Sequence, residues 1–528
     1  MQNSSNIIFY ANIYRSENFM LKKKWFRSLL IQRLTFALII LIQIAWIINT
    51  VINGSLTSTL INAVLQLLSL LVCVYIISID ERGTNKLSWV FLILLFPLLG
   101  GIAYVTFSIQ ISGKILKKRI SDAKEKLAPH LSKLESCEGE AIEKFPHRAT
   151  QIKYLCNSGF PIYKNTTTTF LTPGEEKLKA LLCELEQAEK YIFLEYFIIK
   201  EGIMWNSILE VLARKAAQGV KVRIIYDDFG CFMLLPKDYP KRLMQLGIEC
   251  KVFNRFSPFI TAVQNNRDHR KIVCIDGRVA FTGGINLSDE YINAEIRHGH
   301  WKDAAIMIKG DAAKRFTMIF LEMWEASNLT NEDQTEYLNT KYAAEATDGY
   351  VQPYSNDPTD GKNTAEHVYL QIINNAKKYV YINTPYLIID DTMLSALTLA
   401  AKSGVDVRIT TPHIGDRWFV HTTTRSYYYD LIKAGVKIYE YTNGFVHAKT
   451  FVSDDEVATV GTVNLDYRSL YTHFECGVLL FGCRSIESIK NDYIKTLEIC
   501  EEITPETCSS KNFKGIISKL LRIFAPFM

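Results

Sequence analysis

HRKIVCIDGRVAFTGGIN, residues 269–286, returns later in the chain as HAKTFVSDDEVATVGTVN, residues 447–464. Each stretch begins with the pattern H-x-K-x4-D and ends with an asparagine at the same distance from its histidine. Histidine is scarce, at 10 of 528 residues, so a chance match of two such stretches is a poor explanation. We infer that the chain contains one structural unit twice.

The sequence before each stretch is repeated as well. KYIFLEYFIIK at 190–200 corresponds to KYVYINTPYLIID at 378–390, and each is followed by a helical pattern and a valine-rich run. Gly219 and Gly404 lie between the helix and the run, where a left-handed helix cap is expected. Because short strands that alternate with helices are typical of α/β architecture, the sequence predicts two related α/β units.

The repeated stretch predicts a pocket for an anionic group. Residues two positions apart in a β-strand point to the same face, so each copy presents one imidazole and one ammonium together. Lysines neutralise phosphate oxygens, asparagines donate hydrogen bonds to them, and two histidines can serve as nucleophile and general acid without a metal. The candidate catalytic residues are His269, Lys271, Asp276, His447, Lys449 and Asp454, and the phosphate-binding candidates are Asn286 and Asn464.

A plainer interpretation of these residues stays open. A single H-x-K pair is more typical of a surface strand with a solvated lysine, and only the duplication favours a site. Asp276 and Asp454 lie seven positions from their histidines, an odd spacing that points them to the other face of a strand. By spacing alone, we expect these two members of the motif to brace a hairpin turn.

Three uncharged apolar segments precede the repeats, at 34–52, 60–79 and 87–107. Each is about as long as a bilayer core, which predicts an integral membrane protein. Buried helices of a soluble domain are the alternative, and a cleaved signal peptide fits poorly because the first segment is long and starts late.

The charges beside these segments predict their orientation. Basic residues precede the first segment, which favours a cytoplasmic N-terminus, yet three crossings would export the basic cluster at 114–119. We therefore expect one segment not to cross: the third, interrupted by Pro97, as a re-entrant segment, or the first, with Asn49, at the interface. The catalytic part is then cytoplasmic.

The composition agrees with a cytoplasmic catalytic part. The formal net charge of +5 is too small to indicate nucleic-acid binding. Eleven cysteines without a C-x-x-C pair indicate neither a disulfide framework nor a zinc ribbon, and reduced thiols fit the cytosol.

The sequence divides into five predicted regions. They are a membrane anchor of two or three hydrophobic helices at 1–110, a charged linker at 111–150, two α/β domains at 151–335 and 336–511, and a tail at 512–528. The tail has the basic amphipathic pattern of a helix that lies on anionic lipid. An ordinary packed terminal helix is the alternative.

The stretches HRKIVCIDGRVAFTGGINLSDEY at 269–291 and GFVHAKTFVSDDEVATVGTVNLDYRS at 444–469 resemble the phospholipase D superfamily. Together with the hydrophobic N-terminal segments, they resemble most the bacterial cardiolipin synthases, over nearly the whole chain from about Leu60. The resemblance implies transmembrane helices followed by two pseudo-twofold-related α/β sandwich domains that share one site. The chain departs from the pattern in its extra segment at 34–52, while Gly461-Thr462 in place of the Gly-Gly of the first copy is usual for this family.

The resemblance also implies a reaction. His269 attacks the phosphorus of a phosphatidylglycerol while His447 protonates the leaving glycerol, and a second phosphatidylglycerol then takes the phosphatidyl group to give cardiolipin. Carboxylates on later strands, at Asp303 and Glu475, orient the two histidines. No cofactor, metal or nucleic acid is implied; the partners are phosphatidylglycerol and the lipid bilayer of a bacterial cell membrane that the chain crosses more than once.

Two other functions stay open on the sequence. A membrane phospholipase D-type hydrolase, or another phosphatidyltransferase, would use the same residues with a different acceptor. A non-catalytic membrane scaffold is the alternative outside enzymes, and the six intact histidine, lysine and asparagine positions disfavour it. No oligomeric state is predicted.

Overall fold

The structure, a computed structural model, describes residues 54–79, 83–108, 111–131, 136–255, 266–327, 333–339, 345–346, 348–508 and 513–528, with a few more positions between 41 and 52. The chain divides into two compact units. The first comprises Met1–Ile111 and Phe256–Gln264, and the second Ser112–Arg255 and Asn265–Met528.

The described part of the first unit is helical, with α1 (Leu56–Ser78), α2 (Gly83–Leu95) and α3 (Pro97–Ser108). Of the helices in the described part of the chain, α1 alone is long and apolar enough to cross a membrane. The third apolar segment, 87–107, consists of two helices, and the break lies where Pro97 was expected to interrupt it, because proline starts a new helix there. The segment predicted at 34–52 lies largely outside the described residues.

The second unit contains two similar halves. It starts with α4 (Ile111–Leu131), α5 (Glu138–Lys144) and α6 (Ala149–Asn157). The first half consists of β1 (Thr166–Leu171), α7 (Gly174–Glu186), β2 (Tyr191–Tyr196), α8 (Ile203–Ala217), β3 (Lys221–Asp227), α9 (Asp228–Cys231), α10 (Tyr239–Gln245), β4 (Glu249–Phe253), β5 (Arg267–Asp268), β6 (Lys271–Ile275), β7 (Val279–Gly283), β8 (His300–Lys302), β9 (Ala305–Gly310) and α11 (Asp311–Ser327).

A short helix, α12 (Thr335–Leu338), precedes the second half. That half consists of β10 (Tyr350–Asn356), α13 (Thr364–Asn374), β11 (Tyr379–Asn383), α14 (Asp391–Lys402), β12 (Asp406–Pro412), α15 (Trp418–Ser426), α16 (Tyr428–Lys433), β13 (Lys437–Tyr441), β14 (Gly444–Val446), β15 (Thr450–Ser453), β16 (Val457–Gly461), α17 (Tyr467–Tyr471), β17 (His473–Phe481), α18 (Ser485–Leu497) and β18 (Cys500–Ile503). The helices α19 (Pro505–Cys508) and α20 (Phe513–Ile523) follow.

Each half is built on one mixed sheet, and the two strand orders match. The first sheet has the order β1-β9-β7-β6-β2-β3-β4, and the second β10-β17-β16-β15-β11-β12-β13 with β18 added at its edge. Strands β2, β3 and β4 are mutually parallel, as are β11, β12 and β13. The repeated sequence stretches form the antiparallel hairpins β6–β7 and β15–β16. The predicted α/β class and its duplication are confirmed.

The two sheets share a central core around α11. Fourteen of the 17 residues of this helix are buried, and its core includes strand residues of both halves, such as Ile272 and Val478. The outer face of each sheet has a separate core under its own helices. Because the halves share apolar surface, we expect them to fold as one body.

The C-terminal tail packs on the second half in its described part. The Arg522 guanidinium lies 4.2 Å from the centre of the Tyr427 ring and donates to a carboxylate oxygen of Asp430 at 2.8 Å. Ala525 is buried in the second outer core. These contacts favour the packed-helix alternative over a helix that lies only on lipid.

Candidate functional site

Two short parallel ladders join the halves and position the site. Strand β5 pairs with the start of β17, so that Asp268 lies opposite Phe474. Strand β14 pairs with β8, so that Val446 lies opposite Lys302. The next residue on each of the four strands is a predicted site residue: His269, Glu475, His447 and Asp303. The ladders therefore bring one histidine and one carboxylate together at each of two places.

Each histidine is hydrogen-bonded to a carboxylate of the other half. His269 Nδ1 lies 2.8 Å from Glu475 Oε1, and His447 Nδ1 lies 2.7 Å from Asp303 Oδ2. All four side chains are buried. A carboxylate on Nδ1 holds the ring in place and leaves Nε2 for chemistry. The family resemblance implied both acids, on later strands, without assigning their partners. In the structure, each histidine is bonded to the carboxylate of the other half.

The two motif lysines lie beside the histidines. Lys271 Nζ donates to the carbonyl oxygen of His269 at 2.6 Å, and Lys449 Nζ donates to that of His447 and lies 2.9 Å from its Nδ1. Burial lowers the pKa of Lys271 to about 8 and that of Lys449 to about 7. A phosphate anion near them would favour the charged form of both.

The two asparagines are buried near the same pocket. Asn286 accepts a hydrogen bond from the Ile198 amide at 3.1 Å and donates to the Tyr291 hydroxyl at 2.7 Å. Asn464 donates to Asp466 Oδ2 at 3.0 Å. Because an amide NH2 group has two hydrogens, each side chain keeps one N–H for a ligand.

Asp276 and Asp454 have an equivalent role in the two halves, and it is not contact with the reacting atoms. Asp276 accepts hydrogen bonds from the amides of residues 189–191 at 2.7–2.9 Å. Asp454 accepts from the amides of residues 377–379 at 2.8–3.0 Å. Each aspartate lies at the far end of its strand from the lysine, about 16 Å along the chain. Their grouping with the catalytic residues is corrected: they anchor the hairpin to the start of β2 or β11.

The two carboxylates differ in their electrostatics. Burial raises the pKa of Glu475 to about 8. Burial also acts to raise the pKa of Asp303, but the charges of His447 and Lys449 outweigh it and hold that pKa below its usual value. Asp303 is therefore ionised at neutral pH, and the Asp303–His447 pair is the better one to hold a positive charge on its imidazole.

Both histidines have a pKa below the usual value of an imidazole, which favours the neutral form. Burial, with Lys271 and His473 next in importance, lowers the pKa of His269 well below its usual value. Burial and the charge of Lys449 lower that of His447 to about 4. A neutral imidazole with an open Nε2 is the form that a nucleophile requires.

The structure adds aromatic and imidazole side chains that the sequence interpretation missed. The His473 ring lies 5.6 Å from that of His269, and the rings of Tyr291 and Trp301 each lie 5.4 Å from that of His447. His473 and Trp301 each precede the orienting carboxylate by two residues. The two-residue period of a strand was the signal that could have identified them.

The comparisons with known proteins agree with this geometry. A family model described as "Cardiolipin synthase, PLD-like domain" matches residues 181–324 and 369–496, one match in each half. The chain belongs to this cardiolipin synthase family of phospholipase D-like proteins. A second model, described as the phospholipase D-nuclease N-terminal region, matches residues 65–108, so the family likeness extends into the apolar helices.

Relatives from this family match over most of the chain. An uncharacterised protein of Streptococcus mutans is 41% identical over 86% of this chain and 99% of its own length. The cardiolipin synthase of Alkalihalophilus pseudofirmus is 33% identical, over 85% and 90% of the two chains. That of Geobacillus kaustophilus is 31% identical, over 94% and 100%.

A solved structure shows the same fold. The phosphatidylserine synthase of Haemophilus influenzae superposes with a TM-score of 0.54, over 71% of this chain and 98% of its own, at 14% sequence identity. Such a likeness carries the fold and not the substrate. The phospholipase D-like α/β architecture of the two halves is thereby confirmed.

Proposed function

We propose that the protein is a membrane cardiolipin synthase that transfers a phosphatidyl group from one phosphatidylglycerol to another, giving cardiolipin and glycerol. The observation that carries the proposal is the pair of histidine–carboxylate contacts exchanged between the halves, at 2.8 and 2.7 Å, beside two buried lysines. The family relationship supports the substrate, because relatives that share most of their length with this chain are cardiolipin synthases.

In the first step, His269 Nε2 attacks the phosphorus of the donor lipid. The anionic phosphodiester of the bound donor and the ionised Asp303 favour the protonated form of His447. A P–N bond then forms as the P–O bond to glycerol breaks, and His447 Nε2 gives its proton to the departing glycerol oxygen. In the second step, His447 removes the proton from a hydroxyl of the acceptor phosphatidylglycerol, whose oxygen attacks the phosphorus and releases His269. His447 is then protonated again for the next cycle.

The division of roles follows from the two carboxylates. Asp303 is ionised and bonded to His447, so it stabilises the imidazolium that a general acid must carry. The other histidine, His269, has its pKa lowered by burial and by positive neighbours, which favours the neutral form that a nucleophile requires.

The lysines and asparagines hold the phosphoryl oxygens. Lys271 and Lys449 are buried and contact the two histidines. Asn286 and Asn464 each keep one N–H for an oxygen of the substrate. Donors aimed at the oxygens stabilise the charge that develops in the transition state. Because the lysines supply this charge, we expect turnover in the presence of excess chelator.

We also propose that the protein is anchored in the bacterial cell membrane with its catalytic unit on the cytoplasmic side. The helix α1 supplies one candidate crossing, and the basic residues at 114–119 favour the cytoplasm for the chain that follows α3. The bend at Phe96 between α2 and α3 supports a third segment that enters the bilayer without crossing it.

The test is a product analysis with vesicles. The purified protein is incubated with labelled phosphatidylglycerol and excess chelator, and the lipids are separated by thin-layer chromatography. We expect cardiolipin to exceed phosphatidic acid. His269→Ala should abolish cardiolipin formation, and His447→Ala should lower it by about 10²–10⁴-fold. His147→Ala, which removes an exposed histidine that pairs with Glu456 at 2.7 Å, is the matched control and should retain activity. Phosphatidic acid as the main product would identify a hydrolase, and no lipid product would favour the scaffold.

A further inference from the structure

The pocket contains a buried imidazole that the proposed mechanism does not use. His473 is 8% exposed, and neither of its ring nitrogens has a hydrogen-bond partner within the part of the chain that the structure describes. Its Nδ1 lies 3.9 Å from Glu475 Oε1, too far for a hydrogen bond. Since a buried polar group without a partner is costly, this histidine is expected to bind a ligand.

The charges around His473 indicate the sign of that ligand. Arg468, Lys271 and Arg267 all act on it, and together with burial they lower its pKa well below the usual value. Ligand atoms of His269, His473 and Glu475 lie within 4.8 Å of one another, a spacing that a metal ion would also use. Three nearby positive side chains disfavour a cation, so an anion is the better ligand.

The two sides of the pocket differ at this position. In the ladder beside His269, Arg267 lies opposite His473. In the equivalent ladder beside His447, Phe445 lies opposite Trp301, and the two rings are 4.8 Å apart. The pseudo-twofold repeat is therefore broken: one side is cationic and polar, and the other is aromatic. A site that binds donor and acceptor in different ways needs such an asymmetry.

We infer that His473, with Arg267 opposite it in the β5–β17 ladder, forms a second anion subsite that binds the phosphodiester of the acceptor lipid while the donor phosphoryl group is on His269. The inference rests on the proposed function and specifies how its acceptor is chosen. His473 is a binding residue in this assignment: it donates one N–H to a non-bridging phosphate oxygen, and the arginines contribute long-range charge.

The spacing fits the product. The two phosphorus atoms of cardiolipin are joined through glycerol by six covalent bonds, a reach of about 7 Å. The ring centres of His269 and His473 are 5.6 Å apart. A phosphorus bonded to one ring and a phosphate hydrogen-bonded to the other are therefore close enough to share one glycerol. A neutral alcohol has no phosphate, so His473 would not increase its affinity as an acceptor.

The experiment measures acceptor choice within one reaction. Vesicles of phosphatidylglycerol are mixed with 1-butanol, and the ratio of cardiolipin to phosphatidylbutanol is determined for each variant. We expect His473→Ala to lower this ratio about tenfold, chiefly by raising the KM for phosphatidylglycerol as acceptor. His473→Gln retains an N–H donor and should lower it less. Arg468→Ala should lower it in the same direction.

The matched control is Trp301→Phe at the equivalent position on the other side, which should leave the ratio unchanged. An unchanged ratio in both His473 variants, whether or not total activity falls, would overturn the subsite alone. A ratio that falls equally in Trp301→Phe would do the same, because the effect would not belong to the cationic side. If the wild-type protein makes phosphatidylbutanol but no cardiolipin, the proposed function fails and the subsite fails with it.

Discussion

At the scale of single residues, Gly284 and Thr462 show how each half accommodates its carboxylate. A Cβ atom on Gly284 would lie 2.1 Å from Asp303 Oδ1, so only glycine leaves room for this aspartate. The equivalent position in the second half is Thr462, whose hydroxyl donates to Glu475 and accepts from the Cys476 amide at 3.0 Å. In the first half, Gly284 thus leaves space for Asp303, whereas in the second half Thr462 donates a hydrogen bond to Glu475.

Gly284→Ala should therefore displace Asp303 from His447. We expect kcat for cardiolipin formation to fall by roughly 10²-fold, because a shift of about 1 Å in a catalytic group has an effect of that size. Gly139→Ala is the control, since nothing lies within 4 Å of the added atom. Thermal unfolding of both variants shows whether they are folded. A folded Gly284→Ala protein with full activity would contradict this role of the glycine.

The roles of the two histidines predict a difference in covalent labelling. With a p-nitrophenyl phosphodiester lipid, whose leaving group needs no protonation, His447→Ala should still form an acid-labile, base-stable adduct on His269. His269→Ala should form none. With phosphatidylglycerol, we expect His447→Ala to lower turnover by about 10²–10⁴-fold. Mass spectrometry locates the adduct: one on His447 would reverse the roles, and activity without an adduct in both variants would exclude the mechanism.

The buried Lys449 predicts a pH dependence of stability. Burial lowers its pKa to about 7, whereas the unfolded chain keeps the proton to higher pH. The free energy of unfolding should therefore rise between about pH 7 and 10 relative to Lys449→Met, by at most about 1.4 kcal/mol per pH unit. Below pH 7 both states hold the proton, and the difference is constant.

Chemical denaturation in detergent at several pH values measures this dependence. Lys490→Met is the control, because Lys490 lies at the surface and pairs with Asp455 at 2.6 Å. Its curve should run parallel to that of the wild type. A parallel curve for Lys449→Met as well would show that Lys449 keeps an ordinary proton affinity in the folded protein.

At the scale of elements, α11 is the helix on which both sheets depend. Its buried residues belong to one hydrophobic core that also contains strand residues of the first half and of β17. Phe320 stacks on Phe193 of β2, with ring centres 4.8 Å apart, and lies 5.8 Å from Trp324. A helix that is buried nearly all round stabilises the fold through packing more than through helix propensity.

Phe320→Ala should lower the free energy of unfolding by about 3–5 kcal/mol, since it removes a buried aromatic ring and leaves a cavity. Leu399→Ala on α14 is the control, because Leu399 is 64% exposed and its loss should change stability little. Denaturant titration of the detergent-solubilised proteins measures both. A change below 1 kcal/mol for Phe320→Ala would mean that the core around α11 closes over the lost ring.

At the scale of the whole molecule, neither half contains a complete catalytic pair. His269 depends on Glu475 of the second half, and His447 depends on Asp303 of the first. The duplication therefore yields one composite site and not two independent ones. Because both halves contribute to this site, catalysis requires that the central core hold the two halves together.

The orientation of this molecule in the membrane is testable with Cys183, an exposed thiol in the catalytic unit. We expect a membrane-impermeant thiol reagent to label it only after the cells are permeabilised, because the basic residues at 114–119 favour the cytoplasm. Cys183→Ser identifies the labelled position by loss of the signal. Labelling of Cys183 in intact cells would place the catalytic unit outside.

The sequence by itself determined the duplication, the α/β class and the six histidine, lysine and asparagine positions, because strand periodicity and a repeated motif are local properties. Its odd spacing also separated Asp276 and Asp454 from the face that presents the histidines. It also indicated the break at Pro97 in the third apolar segment, because proline cannot donate the hydrogen bond that a continuous helix needs there.

Only the tertiary structure decided which carboxylate serves which histidine. The pairs 269–475 and 447–303 arise from the ladders β5–β17 and β14–β8, which join strands that are distant in sequence. The structure also shows that His473 and Trp301 occupy equivalent positions on the two sides of the pocket. Only this comparison reveals that one side is polar and the other aromatic. Contacts between the halves depend on packing of the shared core, and no local pattern in the chain encodes that packing.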